Sequence, residues 1–180
     1  MKVGFIGLGN VGGKLAGSLL RNGYDLMVRD LDREIAQPFV DAGARFAESP
    51  REMAEQCDLV ITCLPSPAAS AAVMEAEDGL LAGFGSGKIW AEMSTTDEAE
   101  VKRLGAKVIE TGASPVDCPV SGGCHRAATG NIAIFAGCDR DVFERMLPVL
   151  TTLGRRVLHT GELGSASVLK VLTNYLATAN

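Results

Sequence analysis

Short unbroken apolar runs alternate with stretches of helical period from the first residues onward. Val3–Ile6 is an apolar run of strand length, and the positions after residue 12 place Leu15, Leu19 and Leu20 at helical spacing. Residues 25–28 predict a second strand, 32–42 a helix with Asp32 as N-cap, and 44–46 a short third strand. Ser49-Pro50-Arg51-Glu52 reads as a helix start, with Ser49 as cap, proline in the first turn and Glu52 closing a capping box. Residues 58–63 lack polar alternation, as a parallel strand buried on both faces requires. Leu64-Pro65-Ser66-Pro67 ends that strand, 68–75 is helical, 79–87 with its four glycines reads as a loop, and 88–92 is a fifth strand. Ser94-Thr95-Thr96-Asp97 opens a helix running to Leu104 or Lys107. Regular βα alternation with short connections predicts an α/β architecture, a doubly wound and mostly parallel sheet.

After Ala113 the pattern changes. Residues 115–119 are extended, 120–123 form a glycine turn and 127–131 a second turn. A strand over 132–136, an amphipathic helix over 139–150 and a last strand over 156–159 follow. A final helix starts near Leu163 and runs to Asn180, which is either a cap or simply its last residue. Val168, Leu169, Val171, Leu172, Tyr175 and Leu176 occupy several sides of it, which predicts burial on several sides by something these residues do not supply. This divides the chain into a domain over 1–162 and the start of a further helix over 163–180.

The first strand runs directly into Gly7-Leu8-Gly9-Asn10-Val11-Gly12. In a strand–turn–helix unit the first glycine permits the tight turn, the second lets backbone approach a pyrophosphate, and the third lets the helix pack on the strand. The helix N-terminus offers N–H groups and the positive end of its dipole. A GxGxxG string alone is weak; an acid at the end of the next strand strengthens it, and Asp30 stands there, eighteen positions beyond Gly12. A carboxylate at that point accepts the adenosine ribose hydroxyls and repels a 2′-phosphate, which predicts NAD rather than NADP. Arg29 beside it is the residue that would accommodate such a phosphate.

Composition narrows the class. The 180 residues are 47% hydrophobic and 22% charged, enough for one α/β domain with a core. The net charge of −5, with no cluster of Lys or Arg, argues against a nucleic-acid partner. No apolar run has the length of a membrane span. The chain enters a strand at once, which predicts no signal peptide and a cytoplasmic location. Cys57, Cys63, Cys118, Cys124 and Cys138 form no CxxC pair, so free thiols are expected rather than zinc ligands or disulfides, and neither histidine has metal-ligand spacing.

Further candidates lie beyond the glycine turn. Leu64 and Pro65 end the fourth strand and Thr95 follows the fifth, at the carboxyl edge where ligands bind in this architecture; Thr95 has a second reading as a helix cap. Ser121-Gly122-Gly123 is either a structural turn or a loop whose N–H groups hold a carboxylate. Lys170 and Asn174 are four apart on one face of the last helix, shared with Ala166, Thr173 and Ala177. Lys170 reads as a snorkelling side chain or as a general acid/base oriented by Asn174.

Three motifs in order then resemble the β-hydroxyacid dehydrogenase family, which includes 3-hydroxyisobutyrate dehydrogenase. They are Gly4-Phe-Ile-Gly-Leu-Gly-Asn-Val-Gly12, then Asp117-Cys-Pro-Val-Ser-Gly-Gly123 continuing to Gly130-Asn131, then Gly164-Ser-Ala-Ser-Val-Leu-Lys170-Val-Leu-Thr-Asn174. Thr62-Cys-Leu-Pro65 and Glu92-Met-Ser-Thr95 match as well, the latter where the family usually has Asp-x-Ser-Thr. The resemblance covers essentially the whole chain. It implies a Rossmann-type domain and NAD-dependent oxidoreduction of a small 3-hydroxy acid. Lys170 is then the catalytic lysine and Asn174 its positioning partner, while Ser121, Gly122 and Gly123 hold the substrate carboxylate. Gly7, Leu8, Gly9, Asn10, Val11 and Gly12 bind pyrophosphate, Asp30 the ribose, and Leu64, Pro65 and Thr95 the rest of NAD. It also implies that the last helix begins an interdomain helix, with a helical domain and the interface of a homo-oligomer, usually a dimer, beyond it. Without that domain the alternative is an NAD-binding module with no turnover. A phosphogluconate-type or imine-reducing relative fits Asp30 and Lys170 less well. The chain departs from the family in Ser165-Ala166, where Gly-x-Gly is common, in Thr173 for Asn, in Val11 for Met, and in His125-Arg126, where small residues are usual. That last departure has two readings: both side chains point to solvent, or they meet the end of a larger or more anionic substrate.

Overall fold

The computed structural model describes residues 1–179, so the expected end of the last helix at Asn180 lies outside them. Among the described residues nine strands form one sheet: β1 Val3–Ile6, β2 Leu26–Arg29, β3 Arg45–Phe46, β4 Leu59–Thr62, β5 Ile89–Glu92, β6 Ser114–Asp117, β7 Val120–Ser121, β8 Ile132–Gly137 and β9 Gly154–Gly161. Their order is β3-β2-β1-β4-β5-β6-β8-β7, with β9 also pairing β8. Neighbours from β3 to β6 are parallel, β8 runs antiparallel to β6 and β7, and β9 is parallel to β8. The expected doubly wound, mostly parallel sheet is the one observed.

The helices are α1 Gly12–Arg21, α2 Arg33–Asp41, α3 Pro50–Gln56, α4 Pro67–Glu75, α5 Leu80–Gly83, α6 Glu98–Glu110, α7 Gly123–Ala128, α8 Arg140–Leu153 and α9 Ser165–Ala179. They cover both faces, which is why β1, β4 and β5 are buried at every position. Alternate residues feed two cores. Phe5, Val28 and Ile61 pack with Leu15 and Leu19 of α1 and Phe143 and Met146 of α8. Ile6, Val60 and Trp90 pack with Met53 of α3, Met74 of α4 and Val101, Leu104 and Val108 of α6.

Several helix starts follow local chemistry. Asp32 accepts from the Glu34 N–H at 2.9 Å, Ser49 Oγ from Glu52 N–H at 3.1 Å, and Ser66 Oγ from Ala69 N–H at 3.2 Å. The return bond of the expected capping box is displaced: Glu52 Oε2 accepts from Glu48 N–H at 2.7 Å, one residue before the cap. Tertiary packing changes other expectations. Residues 80–83 form a helical turn inside the expected loop, with Leu80 in the core and Gly83 so close to Arg51 O that a Cβ there would lie 2.4 Å from it. α6 continues to Glu110 because Val108 extends its buried stripe. Residues 123–128 are helical where a glycine turn and a second turn were expected, α8 reaches Leu153, and β9 starts two residues earlier and ends two later than the pattern predicts. Among the described residues no helix is long and apolar enough to cross a membrane.

Candidate functional site

From β1 the chain passes through α1 to β2 on one side, then crosses back to β4 on the other. The loops leaving the carboxyl ends of β1 and β4 therefore diverge and open a crevice. A cleft of about 890 Å³ lies there, lined by Gly7, the 9–12 segment, Asp30, Leu64, Pro65, Thr95, Val120, Gly123 and Lys170. Residues far apart in sequence are thus brought to one edge of the sheet.

The three glycines of the first turn differ in what they face. Gly7 has φ +93°, and a Cβ on it would sit 2.3 Å from Cys63 O. A Cβ on Gly12 would sit 1.9 Å from Gly7 O. Both glycines are required by the protein's own packing. Around Gly9 no heavy atom lies within 4 Å of the Cβ position, so the protein's own packing does not require a glycine there, and Gly9 lines the cleft. α1 begins beside it with no side-chain cap, which leaves first-turn N–H groups for an anion. A backbone cradle of this kind fits a dinucleotide pyrophosphate. The Leu8 side chain is buried, and its contribution is the backbone: Leu8 N–H donates to Asp30 Oδ2 at 2.7 Å. Asp32 N–H donates to Asp30 Oδ1 at 3.1 Å. Asp30 therefore fastens the glycine turn to β2, and each oxygen keeps a second lone pair for a further donor. Arg29 also lines the cleft, but its Nη1 donates to Ala47 O at 2.8 Å and Glu48 O at 2.6 Å, so the guanidinium is tied to the segment after β3. Asp97 caps α6, accepting from Glu100 N–H at 2.8 Å, which leaves Thr95 exposed to the cleft.

At the other end of the cleft Lys170 is only 8% exposed. Among the described residues no carboxylate pairs with its ammonium, and burial holds its pKa below the ordinary lysine value. Asp117 and Ser167 place it, a role the sequence pattern does not disclose. The Asp117 carboxylate at the end of β6 is fully buried; it accepts from Ser167 N–H at 2.7 Å and Ser167 Oγ at 2.8 Å. It thereby anchors the first turn of α9, with Lys170 one turn further along. Burial pushes the Asp117 carboxyl up, and the donors from α9 oppose that shift. The signal available in sequence was an acid ending a strand and a serine three residues before a lysine.

The remaining candidates are placed less directly. Val120 and Gly123 reach the cleft, whereas Ser121 and Gly122 are not among its lining. Gly122 has φ +131°, and its Cβ position lies 2.9 Å from Arg126 Cδ and 3.6 Å from Ile132 Cγ1, a residue that does line the cleft. Asn174, one turn beyond Lys170, is exposed and outside the cleft. Among the described residues no group of three His, Cys, Asp or Glu side chains is arranged to hold a metal, and all five cysteines are free thiols.

A crevice at the strand-order switch, a bare glycine beside an uncapped helix and an acid fastened to the turn define a dinucleotide-binding domain. Residues 2–161 match the profile of the family described as the NAD binding domain of 6-phosphogluconate dehydrogenase, and the chain belongs to that family. It is similar to mitochondrial 3-hydroxyisobutyrate dehydrogenase of Mus musculus, 36% identical over 174 residues that make up 97% of this chain and 52% of the relative. It is also similar to an NAD-dependent L-serine dehydrogenase of Pseudomonas aeruginosa, 35% identical over 175 residues, 97% of this chain and 59% of the relative. The solved structure of Mycobacterium tuberculosis 3-hydroxyisobutyrate dehydrogenase with L-serine superimposes with a TM-score of 0.92 at 26% identity, covering 98% of this chain and 60% of that one. The chain thus spans a little over half the length of these relatives.

Proposed function

We propose that this chain is the cofactor-binding part of an NAD-dependent 3-hydroxyacid dehydrogenase, with Lys170 as general acid/base. The observation that carries this reading is a buried lysine without a counter-ion, opening onto the same cleft as the bare Gly9. Bound NAD supplies hydride acceptance and donation. The chain supplies the rest. Gly9, Asn10, Val11 and Gly12 form the backbone cradle of the pyrophosphate, while Gly7 N–H donates to Arg29 O at 3.0 Å and Leu8 N–H to Asp30, so these two residues hold the turn in shape. Asp30 holds the ribose; Leu64, Pro65 and Thr95 wall the remainder. Ser121, Gly122 and Gly123 hold the substrate carboxylate. Lys170 accepts the hydroxyl proton in oxidation and returns it in reduction, with Asn174 positioning lysine and substrate. Residues 1–162 form the cofactor domain, and 163–180 begin an interdomain helix. Val168, Val171, Leu172 and Tyr175, all exposed on α9, support cover by a helical domain outside these 180 residues and a cytoplasmic homo-oligomer, most simply a dimer. The test is NADH formation from a panel of 3-hydroxy acids by a chain extended to the length of its relatives. A second reading, NAD binding without turnover, is favoured for the 180 residues alone by the exposed position of Asn174.

NAD binds at least about tenfold more tightly than NADP in this reading, because a 2′-phosphate would meet the Asp30 carboxylate. Calorimetric titration of both cofactors checks it. Equal or tighter binding of NADP reverses the assignment and would require Arg29 to leave the carbonyls of Ala47 and Glu48.

Substrate choice follows from Arg126, whose stem lies against Gly122. In this reading the guanidinium pairs with a second anionic group of a dicarboxylic or sulfonated hydroxy acid. Arg126→Ala raises KM for such a substrate by about tenfold or more and leaves smaller hydroxy acids unaffected. An unchanged ranking of substrates places specificity elsewhere.

A further inference from the structure

Glu92 ends β5 directly below the cleft and is 1% exposed. Its register partners are Thr62 on β4 and Asp117 on β6, so it sits midway between the cofactor loops and the anchor of α9. Glu92 Oε1 accepts from Ser94 N–H at 2.9 Å, and Ser94 Oγ accepts from Leu64 N–H at 2.7 Å. These two bonds link the loop after β5 to the loop after β4, and Leu64, Ser94 and Thr95 all line the cleft. Glu92 Oε2 and Ser70 Oγ are both buried and without a partner. Ser70 belongs to α4, next to the cleft-lining Ala69. A buried ionised carboxylate with one bare oxygen is costly. Burial pushes the Glu92 carboxyl up, and the hydrogen bonds from Ser94 oppose that shift. The neutral acid satisfies both sites, accepting from Ser94 with one oxygen and offering a proton toward Ser70 with the other.

We propose that Glu92 is a positioning residue for the reacting half of the cofactor, setting the distance between the Leu64–Pro65 and Ser94–Thr95 walls of the cleft. The proposal rests on NAD occupying the cleft as described above. It differs from the role of Asp30 and the glycine turn, which hold the adenosine and pyrophosphate. A fault at Glu92 is therefore felt by NAD and not by ADP-ribose, which lacks nicotinamide.

The experiment is calorimetric titration of the 180-residue chain with NAD and with ADP-ribose. Glu92→Leu, of similar volume, weakens NAD by about tenfold and ADP-ribose by less than about twofold. Glu92→Gln, which keeps one acceptor and one donor, returns NAD affinity to within about twofold of wild type. Ser94→Ala keeps Glu92 and removes the acceptor of Leu64 N–H; it gives a loss of roughly fivefold for NAD alone, and it decides the matter if Glu92→Leu does not fold. Equal losses for both ligands, or no loss for either, overturn the proposal. Wild type binding neither ligand overturns the cofactor reading itself, a distinguishable result.

Discussion

Alanine at Gly9 leaves the fold intact and weakens NAD binding, whereas alanine at Gly12 destabilises the fold and weakens binding with it. The two glycines sit three residues apart in one turn, and a motif treats them alike. The structure separates them. At Gly9 a methyl group meets nothing of the protein within 4 Å, so melting temperature should stay at the wild-type value. The methyl would instead occupy the space a pyrophosphate needs, and a steric insertion of this kind costs ~1–3 kcal/mol, or roughly 5–150-fold in Kd. At Gly12 the methyl would lie 1.9 Å from the carbonyl oxygen of Gly7, a backbone atom that cannot swing aside. Relief requires α1 to move off β1, and α1 carries Leu15 and Leu19 into the core. The expected fall in Tm is about 10 °C or more. Thermal melts and calorimetry on the two variants check this. Normal NAD affinity for Gly9→Ala would remove the pyrophosphate from this turn.

Local chemistry explains why so much was legible. The unbroken apolar runs of β1 and β4 report burial on both faces, and Ser49 and Asp32 are caps whose partners lie two or three residues away. Such signals are contained in the segment that uses them. What was not legible depends on partners distant in sequence. The 80–83 turn exists because Leu80 reaches the core and Gly83 closes on Arg51. The function of Asp117 is written in residues fifty positions away, where Ser167 meets it. Arg29 looked like a possible 2′-phosphate ligand and instead binds the carbonyls of Ala47 and Glu48. Asn174 shares a helix face with Lys170, yet only Lys170 reaches the cleft, because α9 is buried at Ala166, Ser167 and Lys170 and exposed at its far end.

That difference along α9 gives Lys170 its expected effect. In an extended chain that turns over, Lys170→Ala lowers kcat by ~10²–10⁴-fold and leaves the Kd for NAD within about twofold of wild type. Oxidation of an alcohol needs a base, and only the neutral amine can serve. Burial favours that neutral form and holds the Lys170 pKa below the ordinary lysine value. The rate of oxidation therefore rises with pH and levels off above this lowered pKa; reduction, which needs the ammonium as acid, falls over the same range. Both limbs disappear in Lys170→Ala. Lys170→Arg restores the positive charge but not the activity, because a guanidinium does not give up its proton at these pH values. This comparison separates proton transfer from simple charge attraction for a carboxylate. A kcat loss under about tenfold in the alanine variant, with the pH limbs intact, would make Lys170 a packed side chain whose amine takes no part in the chemistry.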